Sequence, residues 1–301
     1  MTQFGREDIA PRRSPPYAAW LIVAIMLAGL APLRGFADEV STSSLKMLSV
    51  EDLMNVEVTS VTRHPQKLLD SASAIQVITQ EDIRRSGATS IPEALRLADN
   101  LQVAQKNSHD WAISARGFNT DLANKLLVMI DGRTVYTPLY SGVFWDVQDY
   151  LLEDIDHIEV ISGPGGTLWG ANAVNGVINI ITKSAADTQG LYTEAGGGSQ
   201  PQDLAGARFG GELGADTHYR VYGKFFDRSA EVLADGASAS DAWHQGRTGF
   251  RVDSGGPSPD RFTISGDFYD GHEETALGRD TDTSGDNVLG RWTRVFSDVS
   301  D

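Results

Sequence analysis

The sequence predicts an α+β domain followed by antiparallel strands of a transmembrane β-barrel. Three observations predict it. Residues 48–183 mix capped helices with short apolar strands. After Gly190 the helical pattern gives way to strict two-residue alternation of apolar and polar side chains. The chain also opens with the layout of an export signal. Composition agrees: 41% of the 301 residues are hydrophobic, enough for a core. With 25 basic against 41 acidic residues the net charge is −16, which argues against nucleic acid as a partner. There is no cysteine, which excludes disulfides, thiolate metal sites and a cysteine nucleophile.

At the N-terminus, Arg6, Arg12 and Arg13 precede an apolar run from Tyr17 to Leu33, and Gly35-Phe36-Ala37 supplies a small-residue cleavage site. Residues 1–37 therefore read as a signal peptide. The rival reading, a membrane anchor, is weakened by Pro15, Pro16 and Pro32, which shorten the helical part.

In the α+β part, Thr79 and Asp82 form a capping box opening a short helix that stops at Gly87. Ser90 and Glu93 read as a second box, with Ala94, Leu95, Leu97 and Ala98 as its apolar side. Strands are expected at 74–79, 112–115, 126–130, 155–161 and 177–182, punctuated by Gly and Pro.

Beyond Gly190, strands are expected at 217–228, 246–253 and 260–269, with weaker ones at 191–197, 204–213 and 288–296. Phe250, Phe262, Ile264 and Phe268 take one face, and Arg247, Arg251 and Arg261 the other. One apolar and one polar face suit a barrel between lipid and a wet lumen. The connections alternate: 214–216 and 254–259 short, 229–242 and 271–287 long. Aromatic residues near the long-loop ends (Phe225, Phe226, Trp243, Phe268, Tyr269, Trp292) suggest an interfacial girdle. Six strands cannot close around a domain of this size, so the reading is of a fragment or a truncated gene product.

Several runs resemble one family. They are Ile113-Ser114-Ala115-Arg116-Gly117-Phe118, the stretch Val128–Tyr136 around Asp131-Gly132, Ile155–Ile161 leading into Gly163-Pro164, and Leu168–Lys183. Together they resemble the plug domain of TonB-dependent outer-membrane receptors. The resemblance implies a domain order of signal peptide (1–37), N-terminal segment (38–62), plug (63–186) and first barrel strands (187–301). It implies a barrel of about 22 strands filled by the plug. It also implies uptake of a scarce, bulky substrate such as a ferric siderophore or cobalamin. The partners are then outer-membrane lipid and TonB, which is energised from the inner membrane and pairs with an N-terminal TonB box as an added strand. The box candidate is Val56-Glu57-Val58-Thr59-Ser60, which also reads as the plug's first strand.

Within the family pattern, Arg116 is expected to contact the barrel wall, whereas Ser162 stands where a second arginine is usual. The resemblance places substrate at three plug loops, 105–110, 118–125 and 138–144. Their polar and aromatic members are His109, Asp110, Asn119, Asp121, Tyr140 and Phe144.

Other motifs carry less. Gly163-Pro164-Gly165-Gly166 lacks the Lys-Ser/Thr of a phosphate loop. Glu153, Asp154, Asp156 and Glu159 read as polar strand positions. The six histidines show no ligand spacing. Asp280, Asp282 and Ser284-Gly285 imitate a calcium loop, but Arg291 stands where its closing Glu belongs. No catalytic constellation, metal site or cofactor is expected. A signalling receptor needs a further domain before the plug, a porin has no plug, and a truncated non-transporting receptor or one for a metal complex or oligosaccharide is the alternative. If the export reading holds, N-terminal sequencing of the exported protein gives Asp38 first; retention of residues 20–33 overturns it.

Overall fold

The computed structural model describes residues 74–117, 119–122, 125–199, 201–255, 259–275, 278–294 and 296, with the short segments 57–58 and 66–67. Strands β1 (Glu57–Val58) and β2 (Gln66–Lys67) pair antiparallel. The α+β domain follows with β3 (Ala74–Thr79), helices α1 (Gln80–Ser86) and α2 (Ile91–Leu95), β4 (Leu101–Gln105), β5 (Trp111–Ala115), β6 (Leu126–Ile130), β7 (Arg133–Thr134), β8 (Ile155–Ser162) and β9 (Gly176–Thr182). Its main sheet runs β3-β8-β9-β6-β7, and β4-β5 form a separate hairpin. The sheet is mixed, since β6 and β9 are parallel.

Both faces of this sheet are buried. Leu126, Val128 and Ile130 pack with Ile158, Val160, Ile178 and Ile180 on one side, where α1 and α2 add Ile83, Ile91 and Leu95. Leu127 and Met129 pack with Ile161 and Val177 on the other. Each such side chain contributes about 1.5–3 kcal/mol, which explains the nearly unbroken apolar runs. Gly176 lets β9 approach β8: a Cβ there would sit 2.5 Å from the Ile161 carbonyl oxygen.

Local signals act as their chemistry requires, with one exception. Thr79 caps α1 reciprocally with Asp82, and Gly87 ends it at φ +72°. Asp131 and Gly132, at φ +49° and +81°, make the two-residue turn between β6 and β7. The Asp131 carboxylate then accepts hydrogen bonds from the Thr182 amide (2.9 Å) and hydroxyl (2.8 Å), tying the turn to β9. The exception is Ser90, whose side chain makes no capping bond. Glu93 instead accepts from the amide (2.6 Å) and hydroxyl (2.9 Å) of Thr89.

The second sheet, hereafter the wall, is antiparallel in chain order: β10 (Gly190–Gly196), β11 (Pro201–Gly214), β12 (Thr217–Arg228), β13 (Trp243–Ser254), β14 (Asp260–Glu273) and β15 (Thr281–Arg294). Its alternation is the expected one. Arg220, Tyr222, Lys224, Phe226 and Arg228 of β12, and Trp243, Gln245 and Arg247 of β13, are buried against the α+β domain. Phe262, Ile264 and Phe268 of β14 and Val288 and Trp292 of β15 are exposed on the outer face.

Two expectations change here. The connection after β14 is only 274–280, because strand pairing continues through His272↔Asp282 and Glu273↔Thr281. The calcium-like run thus lies largely in β15. The aromatic girdle is not the expected one either. Phe226 and Trp243 point inward, edge to face at 4.6 Å, and Trp292 pairs with Phe262 near the opposite rim. Ile264→Arg should cost about 2–4 kcal/mol when the protein is unfolded from lipid vesicles. Thr263→Arg should cost far less, because the Thr263 hydroxyl faces inward and donates to Asp253 at 2.7 Å.

Candidate functional site

The α+β domain docks on the wall through bases on the wall and acids on the domain. Arg208 and Arg220 both address Asp154, which is 3% exposed; the Arg220 contact is 3.6 Å. Lys224, 2% exposed, meets Asp149 at 2.7 Å and donates to the Tyr150 carbonyl at 3.1 Å. Arg228 meets Glu93 at 3.2 Å, and Arg251 meets Asp131 at 3.5 Å. Arg247 pairs with Asp267 of the wall itself and donates to the Val147 carbonyl. The Tyr150 hydroxyl donates to the same Asp267 at 2.9 Å. Charges this deeply buried persist only when paired and hydrogen-bonded. The sequence places the six bases at inward positions of three adjacent strands, and the turns and helix α2 of the α+β domain bring Asp131, Asp149, Asp154 and Glu93 to meet five of them.

At the rim bearing the 229–242 loop, a second cluster forms. Trp243 donates through Nε1 to the Ser108 carbonyl at 2.9 Å, and the Ser108 amide donates to Asp241 at 2.9 Å. His109, 5% exposed, lies edge-on to Trp243 at 6.2 Å. Its Nδ1 is 3.5 Å from Asp110 and 3.7 Å from Glu273. Burial alone lowers the His109 pKa, but these carboxylates outweigh it and hold the imidazole above its ordinary value. Burial raises the Asp146 carboxyl in the same cluster. Lys106 bonds Asp121 at 2.7 Å, lowering that carboxyl. Tyr140 stacks on Phe144 at 4.1 Å, and burial followed by the Asp110 and Asp121 charges raises its phenol.

This docked arrangement has known counterparts. Residues 67–177 match the TonB-dependent receptor plug domain. The chain carries a TonB-dependent receptor plug followed by barrel strands. It is 31% identical over 150 residues to the vitamin B12 transporter BtuB of Vibrio vulnificus, covering 49% of this chain and 24% of that one. To the vitamin B12 transporter BtuB of Vibrio cholerae it is 33% identical over 144 residues, 47% of this chain and 23% of that one. The chain thus spans about a quarter of the length of these relatives. The plug and wall share their fold with the ferripyoverdine receptor of the Pseudomonas aeruginosa outer membrane (TM-score 0.59, 18% identity, 76% of this chain, 30% of that one). They also share it with the ferric-catecholate import receptor Fiu of E. coli K12 (TM-score 0.53, 21% identity, 70% and 28%).

Of the six plug-loop residues singled out in the sequence, His109, Asp110, Asp121, Tyr140 and Phe144 converge. Asn119 is exposed in the neighbouring loop. His109 is buried against the wall rather than open to the rim. Arg116 is exposed, at φ +59°, beside Gly163, and meets no carboxylate among the described residues. Ser162 accepts a hydrogen bond from Asn100. Among the described residues the plug–wall pairing rests on acids of the plug, and Asp154 lies in the turn ahead of β8 rather than at a polar position of the strand. Asp146, Asp241 and Glu273 also escaped notice, since only the fold brings them to the rim. Asp154→Ala leaves two buried guanidiniums without their counter-charge and should destabilise the docked plug by about 3–5 kcal/mol, read as earlier thermal unfolding and faster proteolysis of the plug.

Proposed function

We propose that the receptor carries a scarce, bulky substrate, a ferric siderophore or cobalamin, across the outer membrane with energy delivered through TonB. The observation that carries this reading is a plug docked by buried ion pairs against the polar face of a barrel wall. A plugged barrel is closed to passive flow, so passage requires work on the plug. The vitamin B12 transporters to which the chain is similar favour a substrate of this size. Substrate binds at the rim where Asp110, Asp121, Tyr140 and Phe144 gather, with His109 buried behind them. The reading needs no catalytic step and no resident cofactor.

TonB takes hold at Val56–Ser60. Of this stretch, Val56, Thr59 and Ser60 lie outside the described residues, as does the whole signal peptide, 1–37. Glu57 and Val58 pair with Lys67 and Gln66, and Val58 is fully buried. Pairing with TonB exchanges this two-residue ladder for a longer intermolecular one. Val58→Pro removes a donor and fixes φ. It should abolish uptake while leaving substrate binding at the cell surface intact; normal uptake by this variant would move the box elsewhere.

A further inference from the structure

The segments that gather at the substrate rim share two properties. The first is charge. Residues 105–110, 118–125, 138–146 and 229–242 hold six carboxylates (Asp110, Asp121, Asp146, Glu231, Asp235 and Asp241) against two lysines, Lys106 and Lys125. Lys106 is engaged, with Asp121 at 2.7 Å and Asp110 at 4.0 Å. Behind Asp110 stands His109, 5% exposed, with neither ring nitrogen in a hydrogen bond. The second property is apolar exposure. Leu139 is 96% exposed, and Leu122 and Phe144 are exposed beside it on the plug loops. Val232 and Leu233 are exposed on the wall loop of the same rim. The plug loops touch: a Cβ on Gly142 would lie 3.0 Å from the Asp121 carbonyl oxygen and 3.3 Å from the Tyr140 ring.

We infer that this rim selects a neutral or cationic substrate with a broad, flat apolar face and rejects polyanionic chelates. The inference rests on the reading that the rim is the substrate site. Exposed apolar side chains gathered on otherwise polar loops mark a surface that is covered when in use. The Tyr140–Phe144 stack offers a π-face to a planar ring or a cation. The surrounding carboxylates repel an anion before contact. A ligand edged with amide donors satisfies the same carboxylates.

Binding to the receptor in outer-membrane vesicles tests this with three probes. They are cyanocobalamin (neutral and amide-edged), a cationic ferric trihydroxamate and a triply anionic ferric tris-catecholate. Either of the first two should bind at least tenfold more tightly than the third. Tyr140→Ala with Phe144→Ala should weaken that binding tenfold or more, and Asp110→Asn with Asp121→Asn should narrow the gap between probes. Tightest binding by the tris-catecholate, still weakened by the aromatic substitutions, overturns the charge inference and leaves the rim as the site. Binding that ignores all four substitutions overturns the rim itself. Binding of none of the three by a folded receptor overturns the inference.

Discussion

Asp154 sits where three parts of the molecule meet: the short turn ahead of β8, strand β11 through Arg208 and strand β12 through Arg220. Its position allows two guanidiniums to be buried on the inner face of the wall, and the pairs formed by Lys224, Arg228 and Arg251 repeat the arrangement towards both rims. A seam of this kind differs from an apolar core. Buried ion pairs contribute little net stability compared with well-packed apolar groups, but they allow few alternative registers. The plug is thus held in one orientation by contacts that water can take over when the seam opens. A plug glued by leucines would expose a hydrophobic surface each time it moved. This one exposes charges.

The two ends of the seam differ in kind. At the rim of the shorter turns, wall arginines grip the backbone and hydroxyls of the plug near Thr182, and the Ala185 amide donates to Asp253 at 2.7 Å. These contacts anchor the chain where it leaves the plug for the wall. At the opposite rim the contacts run through a side-chain cluster, with Ser108 clasped by Asp241 and Trp243 of the long loop. The wall thus holds this plug turn directly, so the rim and the docking of the plug are mechanically continuous.

Much of this was legible in the residues. Strands 126–130 and 217–228 match their sequence bounds because in one every side chain, and in much of the other every second side chain, is buried; strand 74–79 does so because the Thr79 capping box ends it. The β4 strand was missed because Leu101 and Val103 alternate with residues no more polar than a loop requires. The 271–287 connection was overestimated because β14 and β15 extend past the apolar band, where neither face has a reason to be apolar and only main-chain bonding marks the strand. Spacing marks Glu93 as a capping residue but not as the partner of Arg228, 135 positions away. Pair formation over such distances follows from the fold and leaves no local trace. The same is true of Asp146, Asp241 and Glu273, which no spacing rule relates to His109.

The wall's pairing is uninterrupted through β12, β13 and β14, and the shifts in the wall's register lie near the two ends of β11. This imposes an arithmetic on how the gene can change length. One codon gained or lost inside β13 would carry Arg247 into lipid and Phe250 into the seam, so strands can grow or shrink only in twos. The 229–242 loop obeys no such parity and can change by single residues. The rim can therefore change by small steps in loop length while the wall and its seam stay fixed. The rim and the seam are in this sense written in separately editable parts of one chain.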